Sequence, residues 1–507
     1  MADKAIRVRF APSPTGPLHI GGVRTALYNY LFAKKNGGTF ILRIEDTDQT
    51  RYVEGAEEYI QESLAWLGLH PEEGPQQGGP VSPYRQSERR AIYQTHVQRL
   101  VEKGKAYYAF DTPEELEEMR SREQAAGVHT PKYDHSVRLK MKNSLTLSTE
   151  EVKELLQRQT PHTVRLKVPQ DQKITFSDTV RGEVTFASNE LDDKVLLKAD
   201  GLPTYHLANV VDDHLMEISH VIRGEEWLSS TAHHVLLYRA FDWLESMPTF
   251  AHLPLILKPS GKGKLSKRDG AKFGFPVFPL NWDDPKEETT YQGFREDGFL
   301  SAATINFLSL LGWNPGNDEE IFSLEKLCDV FDLDKINKSG AQFDYDKAKW
   351  FNQQYINKQN PEDLVVILKD DFAEVDPSYL KEVIRLLQPR VTYLSDFKAQ
   401  SSYFFTSPEV LDMTALKKKY KPDNERHFER IIELLDDDAS SAEDYAQRIK
   451  SYISEAGVKF GEIFTVLRIW LVGEMSGPDL FELIYLIGHR EAQKRLTAGL
   501  GIAKTGL

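Results

Sequence analysis

The sequence predicts an α/β fold built on a parallel, doubly wound sheet. Residues 6–10 alternate apolar side chains with arginines, which is the period-2 pattern of a strand. From about Leu18 the apolar positions change to helical spacing, and residues 40–44 then give a second strand. A second helical pattern covers residues 56–67. Strands that alternate with helices in this way form a parallel sheet with helices on its faces.

The connection between the first strand and the first helix has an unusual composition. It contains three prolines between residues 11 and 17, together with Gly16, so it predicts a rigid loop. Gly21 and Gly22 follow at the first turn of the helix, where backbone N–H groups are free and the helix dipole is positive. A phosphate group could approach there. In sheets of this kind ligands bind beyond the carboxyl ends of the strands.

Length and composition indicate a large protein of several domains. A chain of 507 residues is long enough for roughly three to five domains. No run of about 18 apolar residues is present, so we expect no transmembrane helix and no membrane partner. The first residues lack the apolar core of a signal peptide, and Cys328 is the only cysteine, which predicts a cytoplasmic location without disulfides or a thiolate zinc site.

The formal net charge of −14 neither supports nor excludes an RNA partner. Binding to phosphates requires local positive charge rather than a positive total. An acidic chain with basic faces would limit nonspecific binding and still keep a track for RNA.

Two segments in this order resemble the signature motifs of class I aminoacyl-tRNA synthetases. Residues 9–22 read RFAPSPTGPLHIGG and resemble the HIGH motif, although Gly22 stands where that motif has its second histidine. Residues 264–268 read KLSKR and resemble the KMSKS motif. Two longer passages, residues 200–214 and 220–228, where the sheet is expected to resume, resemble the bacterial-type glutamyl-tRNA synthetases in particular.

This resemblance implies a class I synthetase Rossmann-type sheet that is split by an α+β insertion and followed by a stem-contact region and an all-α anticodon-binding region. The expected domains follow in order along the chain: the first catalytic half (1–85), the connective or acceptor-binding insertion (86–199), the second catalytic half (200–258), a stem-contact domain with the KMSKS-type loop (259–350), and a helical anticodon-binding domain (351–507) with two expected subdomains. Residues 275–292 are an insertion with no role assigned from the sequence.

The same resemblance implies a reaction and its partners. L-glutamate would attack the α-phosphorus of ATP, giving glutamyl-adenylate and diphosphate. The glutamyl group would then pass to the 3′-terminal adenosine of tRNA-Glu. Mg²⁺ would accompany ATP. Some relatives carry a cysteine-rich zinc site after the first half-domain, but residues 106–111 contain no cysteine, so we expect no zinc and no other protein-bound metal. A monomer is the default of the family.

The resemblance also assigns residues to both substrates. His19, Lys264 and Lys267 are the expected catalytic residues, which act on the phosphates from the helix start and from a mobile loop that Gly261, Gly263 and Gly270 would make flexible. The residues expected to bind ATP are His19, Gly21, Glu226, Lys264, Leu265, Ser266 and Lys267. The residues expected to bind glutamate are Arg9, Ala11, Ser13, Glu45, Tyr205, Asn209, Arg223 and Trp227.

The chemistry of these side chains suits a ligand with two carboxylates and one ammonium. Arg9 and Arg223 could each bind a carboxylate through two parallel hydrogen bonds, and Glu45 could bind the ammonium. Taken singly, each residue also has an ordinary structural interpretation. Arg9 could be a surface ion pair, Tyr205 could be core packing, and the basic loop could be a solvated turn.

Three alternative functions stay open at this point. A glutaminyl-tRNA synthetase would carry a β-barrel anticodon region, whereas about 150 residues of helical pattern end this chain. A truncated relative that glutamylates a modified tRNA base would lack the helical region. A catalytically inactive tRNA-binding paralogue would not need the histidine and lysines of the two motifs.

Overall fold

The computed structural model describes residues 5–435 and 439–506, which form two compact units. The first unit extends to Glu296 and adds Ser301–Ala348. The second unit takes Asp297–Leu300 and the chain from Lys349 onward. The expected boundary of the helical domain, residue 351, lies close to this division.

Among the residues that the structure describes, every β-strand lies in the first unit. The strands are β1 (Arg7–Phe10), β2 (Thr39–Leu42), β3 (Ala106–Ala109), β4 (Thr163–Leu166), β5 (Lys173–Asp178), β6 (Gly182–Ala187), β7 (Val195–Leu197), β8 (His220–Gly224), β9 (Thr249–Leu253), β10 (Ile256–Leu257), β11 (Trp282–Asp284), β12 (Thr289–Tyr291) and β13 (Ala341–Gln342).

The main sheet has six strands in the order β2-β1-β8-β9-β5-β6. The first five run parallel, and β6 is antiparallel to β5. The connections from β1 to β2 and from β8 to β9 lead in opposite directions across the sheet. A topological switch point therefore lies between β1 and β8, where a crevice opens at the carboxyl ends of the strands. The predicted doubly wound α/β class is confirmed.

Helices cover the sheet of the first unit, and they account for nearly all regular structure of the second. The helices of the first unit are α1 (Ile20–Lys35), α2 (Ala56–Trp66), α3 (Arg90–Glu102), α4 (Pro113–Ala125), α5 (Thr149–Gln157), α6 (Tyr205–Leu215), α7 (Leu228–Phe241), α8 (Lys267–Phe273), α9 (Ser301–Ser309) and α10 (Leu324–Val330). Helix α11 (Tyr345–Lys358) spans the division between the units.

The second unit continues with α12 (Pro361–Ile367), α13 (Pro377–Leu387), α14 (Leu394–Ala399), α15 (Ser402–Phe405), α16 (Met413–Lys419), α17 (Glu425–Glu433), α18 (Ala442–Glu455), α19 (Phe460–Val472), α20 (Leu480–Ile487) and α21 (His489–Gly506). Across the described ranges 5–435 and 439–506, every helix is too short or too polar to cross a membrane.

Two layers of apolar side chains fix the helices to the sheet. Helix α1 packs against β1, β2 and β8. Helices α3, α6 and α7 share one buried cluster with the strands, in which Tyr93, Val211 and Leu237 are each 1 % exposed or less. This burial, at about 25 cal/mol per Å² of apolar surface, is the main source of stability for such a layer.

Two parts of the chain differ from the sequence interpretation. Strands β5 and β6 fall within the expected insertion at 86–199, but they belong to the main sheet, because β5 pairs with β9. The passage at 200–214, expected to resume the sheet, instead forms α6, and the sheet resumes at β8. Apolar residues of a short buried helix and of a strand give similar patterns.

A smaller sheet, β3-β4-β7, stands apart from the main one. Next to it a separate apolar cluster is built on Tyr107, Met119 and Tyr133. Residues 106–111 begin with β3, and within the described residues no group of three or more His, Cys, Asp or Glu side chains is arranged to hold a metal.

Residues 275–292, which had no assigned role, contain an antiparallel hairpin of β11 and β12. Just before it, Gly270 lies inside α8 rather than in a flexible loop. A Cβ atom there would come within 2.9 Å of the Phe275 carbonyl and 3.0 Å of Val277. The expectation that Gly270 makes the loop mobile is therefore wrong, since this glycine permits close packing. Gly261 and Gly263 have positive φ angles of 74° and 82° and do form the turn.

We predict opposite effects of two Gly→Ala substitutions in α21. A Cβ atom at Gly499 would lie 2.2 Å from the Trp470 ring, whereas no atom lies within 4 Å of one at Gly501. Gly499→Ala should therefore destabilise the protein by about 1–3 kcal/mol through overpacking. Gly501→Ala should stabilise it by up to about 1 kcal/mol through helix propensity. Urea unfolding followed by circular dichroism measures both, and equal effects would contradict the described packing.

Candidate active site

A cavity of about 910 Å³ opens at the carboxyl ends of β1 and β8, at the topological switch point. Every residue that the sequence analysis assigned to ATP or glutamate lines it: Arg9, Ala11, Ser13, His19, Gly21, Glu45, Tyr205, Asn209, Arg223, Glu226, Trp227, Lys264, Leu265, Ser266 and Lys267. Residues separated by more than 250 positions in sequence are thus brought to one crevice.

His19 caps the amino end of α1 with one ring nitrogen. Its Nδ1 accepts a hydrogen bond of 3.1 Å from the Gly21 N–H, so the proton of the neutral ring is on Nε2. Nε2 is buried and has no protein partner in the described structure. Burial, assisted by the charge of Lys264, lowers the pKa of His19 to about 4. Near neutral pH His19 therefore presents an unused N–H donor at the cavity.

The backbone at the start of α1 differs from the expectation that its N–H groups are free for a phosphate. The Gly21 N–H donates to His19 Nδ1, and the Gly22 N–H donates to the His19 carbonyl at 2.7 Å. Gly22 serves packing, because a Cβ atom there would lie 2.6 Å from Leu18 Cδ1. The donor that remains for a phosphate is the His19 side chain.

The predicted glutamate residues Arg9 and Glu45 belong to a buried network of alternating charges beside the cavity. Arg9 donates to both oxygens of Asp213, at 3.0 and 3.3 Å. Arg43 donates to Asp213 at 2.8 Å and to Glu45 at 3.0 Å, and the Asn209 amide donates to Glu45 at 3.2 Å. Arg9 is thus a buried ion pair rather than the surface pair considered from its pattern, because α6 brings Asp213 against the strand.

The pKa values of Asp213 and Glu45, two carboxyl groups of this network, are shifted in opposite directions. Burial opposes ionisation of Asp213, but Arg9 and Arg43 outweigh it and lower the pKa of that carboxyl. Burial raises the pKa of Glu45, although Arg43 and Arg9 oppose the rise. Glu45 lines the cavity and accepts one hydrogen bond from an arginine, Arg43. A cationic group of a ligand would therefore further stabilise the ionised form of Glu45.

Two buried arginines that line the cavity, Arg24 and Arg223, have no carboxylate partner within ion-pair distance among the described residues, and Arg223 is the one in contact with the predicted glutamate residues. It is 5 % exposed, and its guanidinium donates to neutral groups: the Tyr205 hydroxyl at 2.7 Å, the Thr231 hydroxyl at 2.8 Å and His252 Nε2 at 3.1 Å. Burial lowers the pKa of Arg223. A buried guanidinium of this kind gains most from an anionic ligand.

The remaining predicted residues shape the walls of the cavity. The rings of Tyr205 and Trp227 lie 4.4 Å apart, and burial raises the pKa of Tyr205 to about 12, so its hydroxyl stays protonated. Ala11 and Ser13 belong to the loop after β1, whose Pro12 carbonyl accepts the Glu45 N–H at 3.0 Å. This bond holds the proline-rich loop beside the charged network.

Hydrogen bonds and burial hold the residues of the KMSKS-like segment in place. The Lys264 ammonium donates to Glu226 at 2.7 Å, and the Leu265 side chain is 2 % exposed. The Ser266 hydroxyl donates to Asp269 at 2.5 Å in the capping box of α8. Three of the residues predicted for ATP are therefore held at the rim by groups of the same unit.

Lys267 is held by the β11–β12 hairpin. Its ammonium lies 2.8 Å from Glu287 and 3.3 Å from Asp284, and 5.4 Å from the centre of the Tyr291 ring. The Glu287 hydrogen bond raises the pKa of Lys267. Asp284, Lys286 and Glu287 line the cavity themselves, so the hairpin forms part of its wall.

Sequence reasoning missed several groups at this site: Arg24, Arg43, Asp178, Asp213, Thr231 and His252. Arg24 lines the cavity and donates to the Leu311 carbonyl at 2.8 Å, while its Nε is buried without a partner in the described structure. A charged residue on the apolar face of a predicted helix or strand was the available signal, and Arg24 and Asp213 both carry it.

Comparison with known proteins extends this picture to the whole chain. Residues 5–350 match the family described as class I tRNA synthetases (E and Q), catalytic domain, and residues 349–500 match an anticodon binding domain. A glutamate–tRNA ligase of Amoebophilus asiaticus is 50% identical over 505 residues, covering 99% of each chain. One of Porphyromonas gingivalis is 50% identical over 508 residues, covering 99% of this chain and 100% of the relative.

Two solved structures agree in fold. A glutamate tRNA ligase from Elizabethkingia meningosepticum in complex with its amino acid matches with a TM-score of 0.93 and 48% identity, over 98% of this chain and 99% of that one. The glutamate-tRNA synthetase of Elizabethkingia anophelis matches with a TM-score of 0.92 and 48% identity, over 98% of this chain and 100% of that one. The family match over residues 5–350, the full-length relatives and the crevice at the switch point agree: the chain belongs to the class I tRNA synthetases of the glutamate and glutamine group.

Proposed function

We propose that the chain is a glutamate–tRNA ligase, an aminoacyl-tRNA synthetase that uses ATP to activate L-glutamate and then charges tRNA-Glu. The observation that carries the choice of amino acid is Arg223, a buried cation that has only neutral partners among the described residues. The two other cations of the region, Arg9 and Arg43, are already paired with Asp213 and Glu45. The unpaired positive charge of Arg223, beside the predicted glutamate residues, suits a zwitterionic amino acid that carries a second carboxylate.

This charge balance also distinguishes glutamate from glutamine. An amide in place of the carboxylate would leave Arg223 buried without a counter-charge, which is a strong penalty for the wrong substrate. The full-length relatives, named glutamate–tRNA ligases, support the same choice over a glutaminyl enzyme. The match of residues 349–500 to an anticodon-binding family argues against the truncated relative.

The chemistry at the phosphate end follows from donors and cations. His19 Nε2–H would donate to a phosphate oxygen of ATP, and Lys264 and Lys267 would neutralise charge on the leaving diphosphate once they exchange their carboxylate partners for it. Mg²⁺ would enter as a complex with ATP. The described residues offer no cluster that binds a metal alone, so phosphates and water would supply most of its ligands.

Further parts of the proposal concern the partner RNA and the setting. The insertion around the β3-β4-β7 sheet would receive the acceptor end of tRNA-Glu, residues 259–350 would contact its stem, and the helical second unit would contact the anticodon arm. We propose a monomeric enzyme of the cytoplasm, without zinc.

ATP–diphosphate exchange with glutamate, measured with and without tRNA, tests the function: an absence of exchange in both conditions would contradict it and favour an inactive paralogue.

A substitution of Arg223 should separate amino-acid binding from ATP binding. Arg223→Lys keeps one positive charge but loses the planar fork, so the KM for glutamate should rise by about 10-fold or more. The KM for ATP should stay within about twofold, because the hydrogen-bond partners of Arg223 include none of the residues predicted for ATP. Equal increases in both constants would contradict the assignment. Steady-state exchange in the presence of tRNA measures both.

Substitutions of His19 should separate the two ring nitrogens. His19→Asn keeps a cap acceptor for α1 but loses the donor, so exchange should fall by about 100-fold while stability stays within about 1 kcal/mol. His19→Gln extends an amide N–H toward the position of Nε2 and should retain more activity than His19→Asn.

A comparison of the wild type with His19→Asn also tests the pH dependence of stability. The pKa of His19 is lowered to about 4 in the folded state, whereas the ordinary pKa of histidine is 6.5. As the pH falls below 6.5, His19 is therefore protonated in the unfolded chain before it is protonated in the folded protein. The stability that a neutral His19 contributes is therefore present above pH 6.5 and decreases toward pH 4. The free energy of unfolding of the wild type, relative to that of His19→Asn, should therefore decrease from pH 7 to pH 5. A constant difference would show that His19 is not buried as a neutral ring.

The loop lysines offer a matched pair. Lys267→Ala should reduce exchange by about 100-fold or more, since it removes a cation expected on the diphosphate. Lys262→Ala changes an exposed lysine of the same loop that does not line the cavity, and it should leave exchange within about twofold. Similar losses in both variants would indicate that the loop acts only through its overall charge.

A further inference from the structure

Three buried side chains form a row across the main sheet behind the amino-acid end of the cavity. Arg223 in β8 is the register partner of His252 in β9, and Asp178 ends the neighbouring strand β5, next to β9. Their exposures are 5 %, 0 % and 2 %. The side chains are in contact: Arg223 Nε lies 3.1 Å from His252 Nε2, and His252 Nδ1 lies 2.6 Å from Asp178 Oδ2.

The orientation of Asp178 is fixed by the backbone around it. Its Oδ1 accepts N–H groups from Val180 at 3.0 Å and from Arg181 at 2.8 Å, in the turn that joins β5 to β6. The His252 N–H reaches Oδ1 at 3.3 Å and Oδ2 at 3.1 Å. The second oxygen is thereby held toward the His252 ring. A carboxylate with this many donors stays ionised, and the pKa of Asp178 is lowered, with His252 and these N–H groups outweighing burial.

The hydrogen bonds around His252 leave one arrangement of its proton. The Arg223 Nε–H can only donate, so His252 Nε2 must accept and carry no proton. The Thr231 hydroxyl, 3.1 Å from the same nitrogen, can donate to it as well. The proton is then on Nδ1, where it is donated to Asp178. Burial lowers the pKa of His252 despite Asp178, which agrees with a neutral ring.

The consequence reaches the cavity through Arg223. Its Nη1 donates to the Tyr205 hydroxyl and its Nη2 to the Thr231 hydroxyl. These bonds hold the two terminal nitrogens, and the bond from Nε supplies the third point that fixes the guanidinium plane. The bond from Nε to His252 sets that plane, and the Asp178 carboxylate places a negative charge one ring away from an otherwise uncompensated cation.

We propose that Asp178 and His252 are positioning residues for amino-acid selection: Asp178 fixes the Nδ1–H form of His252, and His252 in turn orients the Arg223 fork toward the substrate carboxylate. This inference rests on the proposed glutamate function. Neither residue lines the cavity, so both would act through Arg223.

Asp178→Asn is the most direct test. The Asn carbonyl would keep the backbone bonds at Oδ1, and its NH₂ group would then face His252 Nδ1. That contact forces the His252 ring into the Nε2–H form. The Nε2–H group of His252 and the Nε–H group of Arg223 would then be two donors that face each other. The KM for glutamate should rise about 10-fold or more, with the KM for ATP within about twofold. Selectivity for glutamate over glutamine should fall by a similar factor. A change in kcat alone would overturn the proposal.

Two amide substitutions at His252 keep the test decisive if Asp178→Asn does not fold. His252→Gln can accept from Arg223 with its oxygen and donate to Asp178 with its NH₂ group, so it should keep the KM for glutamate within about threefold. His252→Asn can still donate to Asp178 but is too short to reach Arg223, and it should behave like Asp178→Asn. Equal KM values for these two variants would overturn the proposal, because a purely structural role gives no reason to prefer the longer amide.

All assays use the full chain with tRNA, ATP and glutamate, and thermal unfolding of each variant checks that it is folded. Wild-type enzyme that shows no exchange with glutamate would reject the proposed function itself. Wild-type enzyme that is active, with Asp178→Asn unchanged in its KM for glutamate, would reject only the positioning role.

Discussion

The buried ion network around Arg43 is the interaction on which the site depends. Arg43 is 0 % exposed, and it joins Glu45 beyond the end of β2 to Asp213 in α6, which also holds Arg9 in β1. Burying charges is costly, and removing one partner of such a network costs about 3–5 kcal/mol because the others are left uncompensated. The network cancels its own charges, and for that reason its carboxylates do not neutralise Arg223, which stays available to a ligand.

The two ends of the crevice use opposite electrostatic states of buried groups. At one end the Arg223 cation is kept charged among neutral partners, and at the other the His19 ring is kept neutral near Lys264. The first arrangement attracts a carboxylate, and the second provides a hydrogen-bond donor that does not change with pH in the physiological range. The distinction follows from what surrounds each group, because burial disfavours the charged form of both.

Much of the fold could be predicted from the sequence because local pattern carries it. The alternation in β1, the proline-rich loop and the helical spacing of α1 are each visible within about 15 residues. The partners of the site residues are not local: Asp213 lies 204 positions from Arg9, and Asp178 lies 74 positions from His252. The assignment of β5 and β6 to the insertion failed for the same reason, since sheet membership is decided by a pairing with β9 that no local pattern records. The role of Gly270 is not predictable from the sequence, because a glycine that permits a turn and one that permits a close contact are the same residue.

The place of β1 between β2 and β8 in the sheet constrains how the protein is made. The partner of β1 on one side, β2, follows after a single helix, but on the other side Val8 pairs with His220. At a synthesis rate of about 5–20 residues per second, that neighbour emerges from the ribosome roughly 10–40 s later. Throughout this interval one edge of a buried strand has no partner, and such edges pair readily with other chains. High contact order slows folding, so the nascent first half needs protection until β8 closes the sheet.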